Sequence, residues 1–174
     1  MKFNETAFKG IYLVEYFSMI DDRGLFMKPW VRSEINTIFG ENFETYFSSS
    51  EKGTIRGLHY QKGKSAQSKF IICLKGSIED FATDLRANSK TYGQTFRTTI
   101  MPGEQGIIVP EGFAHGIYAN EDSLIVNFCN NDYDASAEAG INWKSIDVLS
   151  DLEVSSISDK DLALPELKDV IWVI

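Results

Sequence analysis

Only two histidines occur in the 174 residues, so chemistry that moves protons near neutral pH is confined to few positions. His59 lies in Arg56-Gly57-Leu58-His59-Tyr60, and His115 lies in Phe113-Ala114-His115-Gly116. His59 is a candidate base. An imidazole abstracts protons well only when its tautomer is fixed, commonly by a carboxylate on the other ring nitrogen. Asp161, in Ser158-Asp159-Lys160-Asp161, could supply that carboxylate. Lys69 follows Gln67-Ser68 at the start of an apolar run. A cation beside a carbonyl stabilises the enolate formed when a neighbouring C–H loses its proton. Base, orienting carboxylate and cation together suit proton abstraction next to a ketone. Taken singly, the bland alternatives are a hydrogen-bonded core histidine and a solvated surface Lys or Asp.

These residues need a fold to bring them together. From residue 53 onward the pattern predicts short strands over 68–74, 77–84, 95–100, 106–109, 114–119 and 124–129. Turn signals separate them, among them Lys75-Gly76, Pro102-Gly103 and Pro110-Glu111-Gly112. Within 77–84 the alternation places Ile78, Asp80, Ala82 and Asp84 on one face. Six strands at short, regular spacing point to an antiparallel sandwich or barrel, and an all-β jelly-roll (cupin-like) barrel with a few short helices is expected. One helix is expected over 33–39, capped by Ser33 and followed by Gly40. A second short helix is expected after residue 157, ended by Pro165. With no repeat, low-complexity tract or linker, residues 1–174 read as one domain.

Composition bounds the function. Hydrophobic residues make up 43% and charged residues 24%, as in ordinary globular proteins. A net charge of −8 argues against general affinity for nucleic acid or an anionic membrane. An anionic ligand would therefore need a local cluster of Arg and Lys. No apolar stretch reaches membrane-spanning length, and Glu5 and Glu15 make the first twenty residues unlike a secretory signal. Cys73 and Cys129 sit in apolar runs and read as buried free thiols, so a cytoplasmic location is expected.

Several motifs extend these observations: Asp21-Asp22-Arg23-Gly24-Leu25-Phe26, Gly53-Thr54-Ile55-Arg56-Gly57-Leu58-His59-Tyr60-Gln61 and Gln67-Ser68-Lys69. Asp84-Leu85-Arg86, Pro110-Glu111-Gly112-Phe113-Ala114-His115-Gly116, Gly140-Ile141-Asn142-Trp143 and Ser158-Asp159-Lys160-Asp161 follow in order. In this order and spacing the chain resembles the dTDP-4-dehydrorhamnose 3,5-epimerases, jelly-roll enzymes acting on nucleotide-linked 4-keto sugars. The resemblance implies no metal and no cofactor, and a homodimer. It implies His59 as base, Asp161 as its paired carboxylate and Lys69 near the C4 oxygen. It further implies substrate contacts from Arg23, Phe26, Arg56, Gln61, His115, Phe128 and Tyr133. By the same resemblance Arg23 matches an arginine on an N-terminal arm that in family members reaches the nucleotide, often across a dimer interface. Arg23, Arg56 and Lys69 would then form the local cationic cluster a diphosphate requires.

The chain departs from that family at two places. Counting from His115, Phe128 falls where family members carry a proton-donating Tyr, and phenylalanine has no proton to give. Inversion at one carbon, C3, is expected on that count, with water or Tyr133 as substitute donor. Lys28, Glu44 and Tyr46 replace residues usual in thymidine-binding members, which leaves GDP or another nucleotide open. Rival readings are a 3,4-ketoisomerase, a full 3,5-epimerase on dTDP-4-keto-6-deoxyglucose and a non-catalytic sugar-nucleotide module. A metal-dependent cupin would usually show His-x-His, which this chain lacks.

Overall fold

Period-two alternation dominates the middle of the chain. In the strand Lys69–Lys75, Ile71 and Cys73 point to one side and Phe70 and Ile72 to the other, and all four are buried. A strand apolar on both faces must be covered on both, which requires layers above and below it. The computed structural model describes residues 1–170 and supplies those layers.

The elements run β1 (Lys2–Glu5), β2 (Tyr12–Glu15), β3 (Phe17–Asp21), β4 (Gly24–Lys28), α1 (Arg32–Ile35), β5 (Glu44–Ser50) and β6 (Ile55–Gln61). They continue with β7 (Lys69–Lys75), β8 (Ile78–Asp84), β9 (Thr95–Ile100), β10 (Gln105–Val109), β11 (Phe113–Ala119), β12 (Ser123–Cys129), β13 (Glu138–Gly140) and α2 (Asp159–Leu162). One antiparallel sheet has the order β1-β2-β10-β7-β12-β5, and a second has β13-β6-β11-β8-β9. Among the described residues, strands β3 and β4 pair only with each other, as a separate hairpin.

Three apolar clusters hold the layers together. Between the sheets, Ile71, Cys73, Ile107 and Ile125 meet Ile78, Ala82, Ile100, Phe113 and Ile117. On the outer face of the five-stranded sheet, Leu58, Tyr60, Phe81 and Tyr118 are covered by Ile141, Trp143, Ile146 and Leu149 from the C-terminal segment. On the outer face of the six-stranded sheet, Phe70, Ile72, Ile108 and Val126 are covered by Ile35 and Phe39, with Trp30 packed alongside.

The expected jelly-roll barrel does not form. The fold is all-β with few short helices, but each sheet keeps free edges, β1 and β5 on one and β13 and β9 on the other. The sheets neither close into a barrel nor curl strongly. Alternation states which face of a strand is buried, and a sandwich and a barrel satisfy that demand equally. Closure depends on edge pairing, which alternation does not encode.

The six strands expected after residue 53 are β7 to β12, each within one residue of its expected ends. The helix expected over 33–39 is shorter and begins earlier, at Arg32, with Val31 at the cap position. The Thr37 hydroxyl donates to the Glu34 carbonyl at 2.6 Å, and the chain passes through turns to Gly40. At α2 the cap is as expected, with Ser158 Oγ accepting from the Asp161 N–H at 3.1 Å. Among the described residues no helix is long and apolar enough to cross a membrane.

Candidate active site

The Arg-Gly-Leu-His motif lies on β6, where two glycines allow unusually close packing. Gly57 has φ +108°, and a Cβ there would meet His115 O at 2.6 Å and the Gly116 Cα at 2.8 Å. At Gly116 a Cβ would meet Arg56 O at 2.7 Å. Strands β6 and β11 can therefore approach only with glycine at both places. The consequence is that His59 and His115 are direct cross-strand partners. A register shift between His115 and Ile117 then sets Arg56 opposite Ile117, and all four residues line one cavity.

Each imidazole is held by its own carboxylate. His59 Nε2 lies 2.6 Å from Asp161 Oδ1, and Asp161 Oδ2 accepts from the Gly57 N–H at 3.1 Å. Burial pushes the Asp161 carboxyl up, but hydrogen bonds from His59 and Gly57 and the nearby Lys160 leave it below the usual carboxylate value. An ionised carboxylate at Nε2 keeps the ring proton there and leaves Nδ1 free to accept. His115 Nε2 lies 2.8 Å from Asp80 Oδ2, with both side chains buried. The other carboxylate oxygen of Asp80 has no hydrogen-bond partner among the described residues. Asp80 was not among the candidate site residues, although its place on the same face as Ile78 and Ala82 marked it as a carboxylate turned to the core.

The six-stranded sheet forms the opposite wall. Cross-strand register pairs Lys69 with Cys129, Ile71 with Asn127 and Asn127 with Tyr46, which puts Lys69, Asn127 and Tyr46 on the inner face. Burial pulls the Lys69 ammonium down, while Cys129, Glu138, Glu44 and Asp80 push it back up. The cavity between the walls has a volume of about 360 Å3, within the range of small-ligand sites. Its lining includes His59, Asp161, Lys69, His115, Arg56 and Tyr46. A neighbouring space of about 230 Å3 shares His59, Lys69 and Tyr46 and adds Gln61, Tyr133 and Glu138. Thus His59, Lys69 and Asp161 share one cavity. Among the described residues no group of three or more His, Cys, Asp or Glu is placed to hold a metal ion.

The other sequence candidates divide. Arg56 sits on the rim, donating from Nε to Ser50 Oγ at 2.8 Å and from Nη2 to Ser49 O at 2.9 Å. Gln61 reaches the smaller space, but its amide is spent on Ser65 O, Asp132 O and the Asp134 N–H, which ties two loops to β6. The Tyr133 phenol donates to Glu138 Oε2 at 2.7 Å. Arg23 and Phe26 lie on the β3–β4 hairpin, outside the cavity, with Arg23 paired to Asp21. Phe128 points to the outer face of its sheet. Its ring stacks on Phe70 at a centroid distance of 5.9 Å and lies 4.9 Å from Trp30. The β12 side chain that faces the cavity beside it is Asn127. Sequence reasoning met Tyr46 only as a departure in the nucleotide run and did not place Asn127 or Glu138 at the site. For Tyr46 and Asn127, parity along β5 and β12 relative to Lys69 was the missing information.

An imidazole fixed by a carboxylate, opposite a desolvated ammonium, suits enzymes that take a proton from carbon and return it, which are isomerases. Comparison with known proteins narrows the class. The family model for dTDP-4-dehydrorhamnose 3,5-epimerase matches residues 5–169. The protein of that name from Methanothermobacter thermautotrophicus is 35% identical over 179 residues, spanning 98% of this chain and 92% of its own. The crystal structure of the Sulfolobus tokodaii dTDP-4-dehydrorhamnose 3,5-epimerase is 35% identical, with a TM-score of 0.88 and 97% of each chain covered. A Legionella pneumophila dTDP-6-deoxy-D-glucose-3,5-epimerase in complex with dTDP-4-keto-L-rhamnose is 28% identical, with a TM-score of 0.88, covering 97% of this chain and 94% of that one. The chain belongs to the dTDP-4-dehydrorhamnose 3,5-epimerase family, and its activity is that of an isomerase on nucleotide-linked 4-keto sugars.

Proposed function

We propose that this protein inverts both C3 and C5 of dTDP-4-keto-6-deoxyglucose. The observation that carries the reading is His59, held by Asp161, facing Lys69 across a single cavity. His59 Nδ1 takes the proton from the carbon next to the ketone, and Asp161 stabilises the imidazolium that results. The electron pair moves onto the C4 oxygen, where the Lys69 ammonium offsets the charge. Either carbon flanking C4 can lose a proton in this way, so one base and one cation serve both centres. His115 and Arg56, on the same wall as His59, are suited to the sugar hydroxyls and the diphosphate.

Inversion at C3 alone was expected because Phe128 falls where family members carry the acid Tyr. Its ring lies on the outer face, and Asn127, which faces the cavity beside it, is no acid either, so the second proton must come from another group. The relative crystallised with dTDP-4-keto-L-rhamnose supports a thymidine nucleotide and a doubly inverted sugar. The protein acts as a homodimer in this reading. The β3–β4 hairpin exposes Phe17, Ile20 and Phe26, an apolar surface for a second copy that would bring Arg23 toward the partner's nucleotide. Buried free thiols at Cys73 and Cys129 agree with work in a reducing cytoplasm.

Proton NMR of the product from dTDP-4-keto-6-deoxyglucose in D2O is the test. Deuterium at both C3 and C5 of an inverted sugar is the expected outcome. Label and inversion at C3 only would overturn the two-centre reading.

A further inference from the structure

We infer that Tyr46 is the general acid of this site, delivering a proton from the wall opposite His59. The inference rests on the epimerase reading above, because inversion removes a proton from one face of a carbon and returns one to the other. The sandwich supplies the two faces. His59 projects from the five-stranded sheet, so the returning proton must come from the six-stranded sheet or from the loops at its end.

Few side chains on that wall can give up a proton. Lys69 is engaged with the ketone oxygen. Asn127 carries no transferable proton, and the Ser48 hydroxyl is too weak an acid. Glu44 is occupied in accepting from the Tyr133 N–H at 2.7 Å. Two phenols remain. That of Tyr133 is already donated to Glu138, which also holds Lys160 at 2.6 Å, and Tyr133 reaches only the smaller space. Tyr46 borders both spaces, on the same wall as Lys69 and on the wall opposite His59. Its hydroxyl donates to no protein group among the described residues. The residue lines the cavity while keeping about 38% of its surface accessible.

Burial, with Cys129, Glu44 and Glu138 nearby, raises the Tyr46 phenol above its ordinary value, so it carries its proton at neutral pH. In the step itself the enolate carbon bonds to the phenolic hydrogen and the O–H bond breaks. The C4 carbonyl re-forms as the charge leaves its oxygen, and the tyrosinate is reprotonated from solvent. The imidazolium of His59 returns its proton to solvent.

The test is Tyr46→Phe in the full chain, with dTDP-4-keto-6-deoxyglucose in D2O followed by proton NMR. Without the acid, the enolate still forms but is reprotonated from the His59 side. Inverted product should therefore appear about 10²- to 10³-fold more slowly, the usual contribution of a positioned acid. Deuterium should still enter recovered, uninverted sugar, and dTDP should still bind. Tyr133→Phe should not separate inversion from exchange. A Tyr46→Phe protein that inverts at the wild-type rate, or loses exchange and inversion in parallel, overturns the assignment. The assignment is scored on C3, so a wild-type enzyme that inverts C3 but not C5 would sink the two-centre reading alone.

Discussion

His59 and His115 stand directly opposite each other on neighbouring antiparallel strands, and each is tied through Nε2 to a different buried carboxylate. The chain's two imidazoles are thus both oriented, and both line the same cavity. They differ in access. The His59 side chain is 27% exposed and that of His115 is 8% exposed. The more accessible ring suits proton exchange with substrate and solvent, and the enclosed one suits holding the sugar in place.

Replacing Asp161 by Asn should keep the shape of the dyad and remove its charge. An amide at that position can fix the wrong tautomer and cannot stabilise the imidazolium. A fall in kcat of about 10²- to 10⁴-fold is expected, with the melting temperature little changed. Steady-state kinetics alongside thermal melts will check this, and a kcat near wild type would refute the orienting role.

Asp80→Ala should cost stability. It removes the acceptor of a buried His115 nitrogen and leaves that group unsatisfied, at a cost of about 1–3 kcal/mol. Urea unfolding measures this directly, and an unchanged midpoint would count against the second dyad.

Acid should weaken the fold through Asp84. Burial pushes this carboxyl up, but hydrogen bonds from Arg86, Ser89 and Thr91 outweigh burial and bring it from 3.8 to about 2. Because the folded value lies below the unfolded one, the stabilisation is complete above about pH 4 and fades as pH falls toward 2. Its size is roughly 2–3 kcal/mol. Unfolding free energies measured from pH 6 to pH 2 should drop over that window in the wild type. Asp84→Asn should be less stable at pH 6 and flatter below pH 4.

Gly57→Ala should disturb both fold and site. The added Cβ would strike the His115 carbonyl, and φ +108° is strained for alanine. A loss of about 2 kcal/mol or more is expected, lowering the melting temperature by roughly 4–8 °C. Turnover should fall further than stability explains, since β6 carries His59. Calorimetry and kinetics on one preparation separate the two effects.

Phe128→Tyr should not change the ratio of singly to doubly inverted product. Its new hydroxyl would project among Trp30 and Phe70, not toward the sugar. A changed product ratio by NMR would mean that β12 adopts the opposite facing.

Much of the sheet was legible because a strand's alternation is local. Strands β7 to β12 could be placed from apolar residues two apart and from the glycines and prolines between them. Strand β6 was harder to see. Its apolar positions are broken by Arg56, Gly57 and His59, and it exists because Gly57 and Gly116 let it lie against β11. The β3–β4 hairpin was equally hidden, since Phe17, Ile20 and Phe26 are exposed here and their alternation marks no buried face.

The candidate chemistry was readable from residue type: a scarce His, a Lys opening an apolar strand and a carboxylate after a capping serine are uncommon enough to name. Which side chains face one another was not. Phe128 and Asn127 differ by one position, and which of them enters the cavity depends on the register of β12 against β7, where a slip of one residue exchanges the two faces. His59 and Asp161 lie 102 residues apart, and nothing along the intervening chain states that they meet. Composition and periodicity act through neighbours in the chain, so they account for strands, caps and candidate groups. Pairing of distant edges, the facing of two sheets and the partner of each imidazole come from packing the whole chain at once.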